Sequence, residues 1–577
     1  MAEHQTNGIT ADSPGTAPTR DPLSRVAIRQ IALLAIASTV GFVLLMAGLS
    51  WATNLTSSST TTLDAIDVET GTVTLSLVQE PPQLDSTRLT DSVSGRILGH
   101  VMEGLLRYDV NNELAPGVAE RWDIRADGAT FWLREEARWS DGEPVTAHDF
   151  VFAWQTALDP ATASQYAFIF YVLKNGEAIN TGELPRESLG VTAVSDHVLE
   201  VEFEQPVAYF DKLVAFQTYY PIREDFYLSR EGRYAADAED MLYNGPFEIT
   251  VWVHGAHVRL EKNPDYWDRD GISLNVIDFP YITADGNAAL NLYRDGQIAE
   301  VNGLGAESLD QVLAERWPVG RYSDGSVWFF QLNHRSDHPT GNYNLRKALQ
   351  LVNDPGELVY KVIKIPSYTP GESIFPTWLK GENGLFRQEY PAPTVTPNVT
   401  LAREHLEQAK RELGVDEIPP LVLLADDTPG ASKQAEYYQN SLMQTLGLEI
   451  RIDKQIFKQR LAKVEAGEFD VALYGWGPDF DDPLTFADLF ASWNPNNHGE
   501  YANAELDAQV RIAQQSTDPA TRMAAFGRIQ EILFEDVAII PNYERGQMYI
   551  QDPRIRGVAR RAVGADPDYT RAYIVTD

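Results

Sequence analysis

The stretch "YGWGPDFDDP", Tyr474 to Pro483, concentrates three aspartates, a tryptophan and two glycines behind an apolar run. Such a cluster could form a metal loop, a catalytic carboxylate pair, a docking point for a positive ligand, or a solvated turn. A calcium loop needs oxygen ligands at alternating positions, a glycine at the sixth and an acid at the twelfth. Counting from Asp479, those places hold Asp481, Pro483, Leu484 and Phe490, so the pattern fails after two ligands. Asp479 and Asp482 could stand as a glycosidase pair on paper, but acids this close in one turn usually splay into water. The chain has no G-x-S-x-G, H-E-x-x-H, Walker or G-x-G-x-x-G signature. His254 with His257, and His334 with His338, have metal-like spacings, yet they fall at a hairpin tip and in the loop "NHRSDHPTGN". On residue types alone, Asp479 is a turn residue. Trp476 is a core or cleft-wall aromatic. An aromatic and a carboxylate at the end of a buried strand can also hold an amine.

The elements around the cluster supply that strand end. From Leu421 to Trp476, "LVLLA", "LEIRID" and "FDVALYGW" alternate with "SKQAEYYQNSLMQTLG" and a further helix, the pattern of a parallel α/β unit. "NLRKALQLV" and "LAREHLEQAKREL" add amphipathic helices before it. Ligands in open α/β sheets bind beyond the carboxyl ends of the strands, where Asp479 falls. The first half is mixed and rich in antiparallel strands. "TVTLSLVQE" alternates as a strand, "SVSGRILGHVMEGLL" has helical spacing, and "FEITVWVHGAHVRLEKN" reads as a hairpin turning at His254 to Ala256. Thr146 and Asp149 have the spacing of a capping box.

Composition narrows the function classes. The 577 residues exceed one compact core and predict two or three lobes. A formal charge of −36 repels phosphate backbones and anionic lipid surfaces, which excludes nucleic acid as a natural partner. With no cysteine there are no disulfides, thiolate metal sites, cysteine nucleophiles or lipid-bearing cysteine. No metal or other cofactor is expected. "IALLAIASTVGFVLLMAGLSWA", Ile31 to Ala52, carries no charge and would extend about 33 Å as a helix, enough to cross a bilayer. Arg20, Arg25 and Arg29 precede it and the next cation is Arg88, so residues 1–30 are expected in the cytoplasm and the rest outside. The long apolar run favours an uncleaved anchor over a cleaved signal, and residues 53–69 then form a flexible tether.

"PGVAERWDIRADGATFWLREEARWSDGEPVTAHDFVFAWQTALDPATASQYA", "YNGPFEITVWVHGAHVRLEKNPDYWD" and "YGWGPDFDDPLTFADLF" together resemble the oligopeptide- and dipeptide-binding proteins of bacterial ABC importers, solute-binding protein family 5. The likeness runs from about Thr72 to the C-terminus. It implies an α/β clamp of two lobes with an inserted domain: lobe I over 70–103, 223–305 and 540–577, the insert over 104–222, and lobe II over 306–539. It implies a peptide enclosed between the lobes and delivered to permease subunits, no catalysis, and a monomer held at the membrane through residues 31–52. Metal chelates or oligosaccharides are alternative cargoes, and a sensor or chaperone is an alternative use of the clamp. By the same resemblance, W-G-P-D places Asp479 on the peptide's α-ammonium. Gly475 and Gly477 beside Trp476 offer backbone to the peptide as an added strand. Thr90, Asp91 and Ser92 supply matching contacts from the opposite lobe, and Tyr166 faces the ligand from the insert. Asp481 and Asp482 are left to the turn and to solvent. The family's best-known members carry an arginine three residues before the tryptophan; Leu473 stands there instead.

Overall fold

A computed structural model describes residues 64–576, and the expected cytoplasmic tail, anchor and first part of the tether lie outside them. Among the described residues no helix is long and apolar enough to cross a membrane. Residues 64–69 are a correction to the tether. Ile66–Asp67 pairs with Thr72–Leu77, Ile66 is buried, and the Asp64 carboxylate takes two hydrogen bonds from Arg554 at 2.9 Å. A short apolar residue flanked by acids gave no periodicity from which to see this.

Three sheets organise the chain. The first has five strands in the order Ile66–Asp67, Thr72–Leu77, Val276–Ile282, His257–Lys262 and Phe247–Val253, with 72–77 and 276–282 parallel. Its hairpin turns where expected, and Gly255 supplies the positive φ of 72° that the tight turn needs. The second sheet is antiparallel: Ala119–Arg125, Gly128–Leu133, Val198–Glu202, Val191–Ser195. The helix Ala147–Leu158 packs near it and begins with the expected capping box, in which the Asp149 carboxylate accepts from the Thr146 amide at 2.8 Å. Trp139 Nε1 donates to the same carboxylate at 3.1 Å, which fixes the buried cap to the core.

The third sheet positions the site. Its order is Glu300–Asn302, Ile539–Gln551, Gly320–Leu332, Val471–Trp476, Leu421–Asp426 and Ile450–Gln455, with Thr369–Pro370 paired to 539–551. Strand 421–426 lies parallel to both 450–455 and 471–476, as the α/β pattern predicts. The two 13-residue strands 320–332 and 539–551 run antiparallel for most of their length, interrupted at Asp324–Ser326. Residues 300–302 and 540–551, which the resemblance puts in lobe I, therefore hydrogen-bond into the same sheet as 421–476.

Candidate functional site

Strand 471–476 is buried on both faces, so its side chains sort by alternation rather than by polarity. Val471 and Leu473 enter one apolar cluster with Phe330, while Ala472, Tyr474 and Trp476 enter the other. Gly475 lies against the Trp328 ring, where a Cβ would come within 2.6 Å of Cε2. Gly477 is exposed, and a Cβ there would meet nothing within 4 Å.

Beyond the strand the chain turns through Pro478, and the Asp479 amide donates to Thr485 Oγ1 at 2.9 Å. Tyr166 Oη, from the segment between the second sheet's strands, donates to Asp479 Oδ1 at 3.0 Å. The Thr485 hydroxyl reaches Oδ2 at 3.4 Å. The Tyr166 ring packs on Phe168, Phe216 and Trp476, with centroids 5.9, 5.2 and 6.4 Å away. Tyr166, Trp476 and Asp479 thus meet although the first lies more than 300 residues from the others.

The electrostatics of this pocket are incomplete without a cation. Burial pushes Asp479 up to about 8 against the opposing hydrogen bonds of Tyr166 and Thr485, and no positive group among the described residues counters it. Asp488, which is more deeply buried, is raised well above the carboxylate range by burial first and by Asp479 second. Trp476 Nε1 is buried with no hydrogen-bond partner among the described residues. Two acids and an unspent donor suit a ligand carrying an ammonium followed by carbonyl groups.

The other expected residues divide. Asp91 is buried and caps the helix Ser92–Val101, accepting from the Ser94 amide at 2.9 Å. Thr90 is partly buried and Ser92 exposed, and among the described residues no hydrogen bond joins any of the three to Asp479 or Tyr166. Asp482 corrects the expectation of a solvent-facing acid: it is buried and held by both terminal nitrogens of Arg522 at 2.7 and 2.9 Å, with Lys212 at 3.9 Å. Asp481 is partly buried, its amide 3.4 Å from Tyr108 Oη. The histidine pairs do not converge: His254 meets Glu80 and Asp237, His257 meets Asp278, His334 meets the Ala538 carbonyl and His338 meets Asp470. Thr485 and Asp488 were not foreseen, since nothing distinguishes them among the chain's many hydroxyls and its 83 acids.

A cavity of about 810 Å³ opens beyond the carboxyl ends of the adjacent strands 421–426 and 450–455. Asp427 and Phe457 line it from that side, and Glu80, Asp85, Tyr234 and Trp252 face them from the first sheet's side. Its volume lies within the range of small-molecule pockets.

The model of the "Bacterial extracellular solute-binding proteins, family 5 Middle" matches residues 113–498. The chain belongs to this family. Its α/β fold is the family 5 clamp of two lobes. Dipeptide-binding protein DppE of Bacillus subtilis is 30% identical over 487 residues, covering 84% of this chain and 89% of that protein. Oligopeptide-binding protein OppA of the same organism is 30% identical over 511 residues, covering 85% and 91%. Among solved family 5 structures, the substrate-binding domain of an oligopeptide ABC transporter from Bacillus anthracis superposes with a TM-score of 0.84 at 35% identity, covering 89% of this chain and all of that one. Listeria monocytogenes OppA bound to peptide gives 0.83 at 31% identity, covering 88% and 99%.

Proposed function

We propose that this protein captures short peptides outside the cytoplasmic membrane and hands them to an ABC importer. The observation that carries the reading is the partly buried Asp479, hydrogen-bonded by Tyr166 and Thr485 yet paired with no cation among the described residues. A peptide α-ammonium supplies the missing charge, while Gly477 offers backbone for strand-like pairing. A metal chelate or an oligosaccharide needs no such carboxylate. The names of the relatives, dipeptide- and oligopeptide-binding proteins, support the same cargo. Thr90, Asp91 and Ser92 would face the peptide from the opposite side. Lobe I would comprise 70–103, 223–305 and 540–577, the insert 104–222, and lobe II 306–539, with the paired strands 320–332 and 539–551 shared between lobes as the hinge. The uncharged run Ile31–Ala52 would anchor the chain, as a monomer, to the outer face of the membrane.

Calorimetry with free and N-acetylated peptides tests the reading. Acetylation removes the ammonium and is expected to cost at least tenfold in affinity. Asp479→Asn is expected to weaken binding of the free peptide by roughly 2–5 kcal/mol, the cost of leaving a buried charge unpaired. Equal affinity for both peptide forms would sink the amine anchor.

A further inference from the structure

A zwitterionic ligand has a second charge, and the residue from which the resemblance would anchor it is apolar here. Leu473 is buried in the core beneath the sheet. The same face of that sheet nevertheless carries a guanidinium. Trp328 stands opposite both Gly475 and Tyr543 in the ladder, and alternation along strand 539–551 brings Arg545 to the face of Tyr543. The guanidinium carbon of Arg545 sits 5.2 Å from the Trp328 ring centroid, and Trp328 stacks on Tyr543 at 5.8 Å and 13°. Trp328 is also the ring that Gly475 admits. Arg545 is thus one aromatic ring away from the proposed ligand-pairing backbone.

Arg545 is held by one edge only. Its Nε donates to Asp324 Oδ2 at 2.5 Å, and among the described residues neither terminal nitrogen donates a hydrogen bond. Asp324 is itself well supplied. Gln547 Nε2 donates to the same oxygen at 2.6 Å, and Ser326 gives its hydroxyl and amide to the other at 2.5 and 3.1 Å. Burial works against the guanidinium charge and Asp324 outweighs it, so the group stays protonated. The Arg545 side chain remains 29% exposed, whereas Asp324 is 7% exposed. A planar fork fixed at Nε, with both Nη groups unpaired among the described residues, matches the two oxygens of a carboxylate. Beneath it, Trp328 Nε1 is buried without a partner.

We propose that Arg545 anchors a carboxylate of the bound ligand, doing from strand 539–551 what Leu473 cannot do from strand 471–476. The carboxylate is either the peptide C-terminus or an acidic side chain. The inference rests on the peptide reading above, and the test separates the two. The full-length chain is titrated with tetra-alanine, with its C-terminal amide, and with relatives carrying Glu or Gln at the third position. The wild type is expected to prefer one acid form over its neutral counterpart by about tenfold to a hundredfold. Preference for the free terminus over the amide identifies the C-terminus as the source, and preference for Glu over Gln identifies a side chain. Arg545→Gln is expected to abolish that preference while affinity for the neutral peptide changes less than about threefold. Because Arg545→Gln strands Asp324, the double variant Asp324→Asn with Arg545→Gln is measured beside it and is expected to lose the same preference. A preference that survives in the double variant, or a wild type that binds all four peptides equally, overturns the role of Arg545 and leaves the peptide reading standing. A wild type that binds none of these peptides, nor di- to penta-alanine, overturns the peptide reading and this inference together.

Discussion

At the scale of single residues, the three aspartates of one turn have three different fates. Asp482 is consumed by Arg522, Asp481 borders Tyr108, and Asp479 stays partly buried beside Tyr166 with no cation among the described residues. The raised pKa of Asp479, about 8 against about 3.9 in an unfolded chain, has two consequences of definite sign. In the unliganded protein the folded state binds the extra proton, so this group favours folding most below about pH 4. That contribution is lost as pH rises toward 8. Peptide binding runs the other way, because an ammonium needs the ionised carboxylate. Below pH 8 binding must release up to one proton, and affinity should climb by up to tenfold per pH unit between about 5 and 8. It should then fall as the peptide amine, with a pKa near 7.7–8.0, deprotonates. Calorimetry at pH 6.5 in buffers of different ionisation enthalpy reads the proton count directly. A count of zero would mean that Asp479 is already ionised, or that it does not meet the ammonium.

At the scale of elements, the helix Pro519–Glu535 holds the site loop in place. Arg522 and Asp482 are 8% and 3% exposed, a buried bidentate pair with little water to take over if one member goes. Arg522→Leu is expected to destabilise the fold by about 3–5 kcal/mol in urea titrations, tempered by Lys212 at 3.9 Å from Asp482. Adding Asp482→Asn should restore part of that loss, and an unchanged urea midpoint in Arg522→Leu would show that the pair contributes nothing. This pair also shows where the reading from sequence stopped. Strands 421–426, 450–455 and 471–476, the hairpin at Gly255 and the capping box at Asp149 are local patterns of period and spacing, and each was legible. Arg522 meeting Asp482 across 40 residues, or Asp488 lying beside Asp479 inside the fold, follows from packing that no local pattern encodes. Tyr166 reached Asp479 only through the resemblance, because nothing in "TASQYA" marks its tyrosine as different from the chain's other 24.

At the scale of the whole molecule, the chain combines a family 5 clamp with a long uncharged run where a lipid-bearing cysteine would serve, and the two parts are separable if the reading is right. All the proposed ligand groups, from Thr90 to Arg545, lie beyond residue 63, and residues 64–576 make one compact unit by themselves. Removing residues 1–52 behind a foreign export signal should therefore give a soluble protein. Its peptide affinity should equal that of the full chain in detergent within about twofold, since no binding energy is drawn from the removed part. The same fragment should contract when peptide is added, because Asp479 ionises below pH 8 only against an enclosed ligand ammonium, and closure about the proposed hinge strands 320–332 and 539–551 would provide the enclosure. Small-angle scattering reads that contraction as a smaller radius of gyration. A fragment that folds but binds tenfold more weakly would place part of the site in the first 52 residues, whereas one that binds fully without contracting would mean that the clamp is already closed before the peptide arrives.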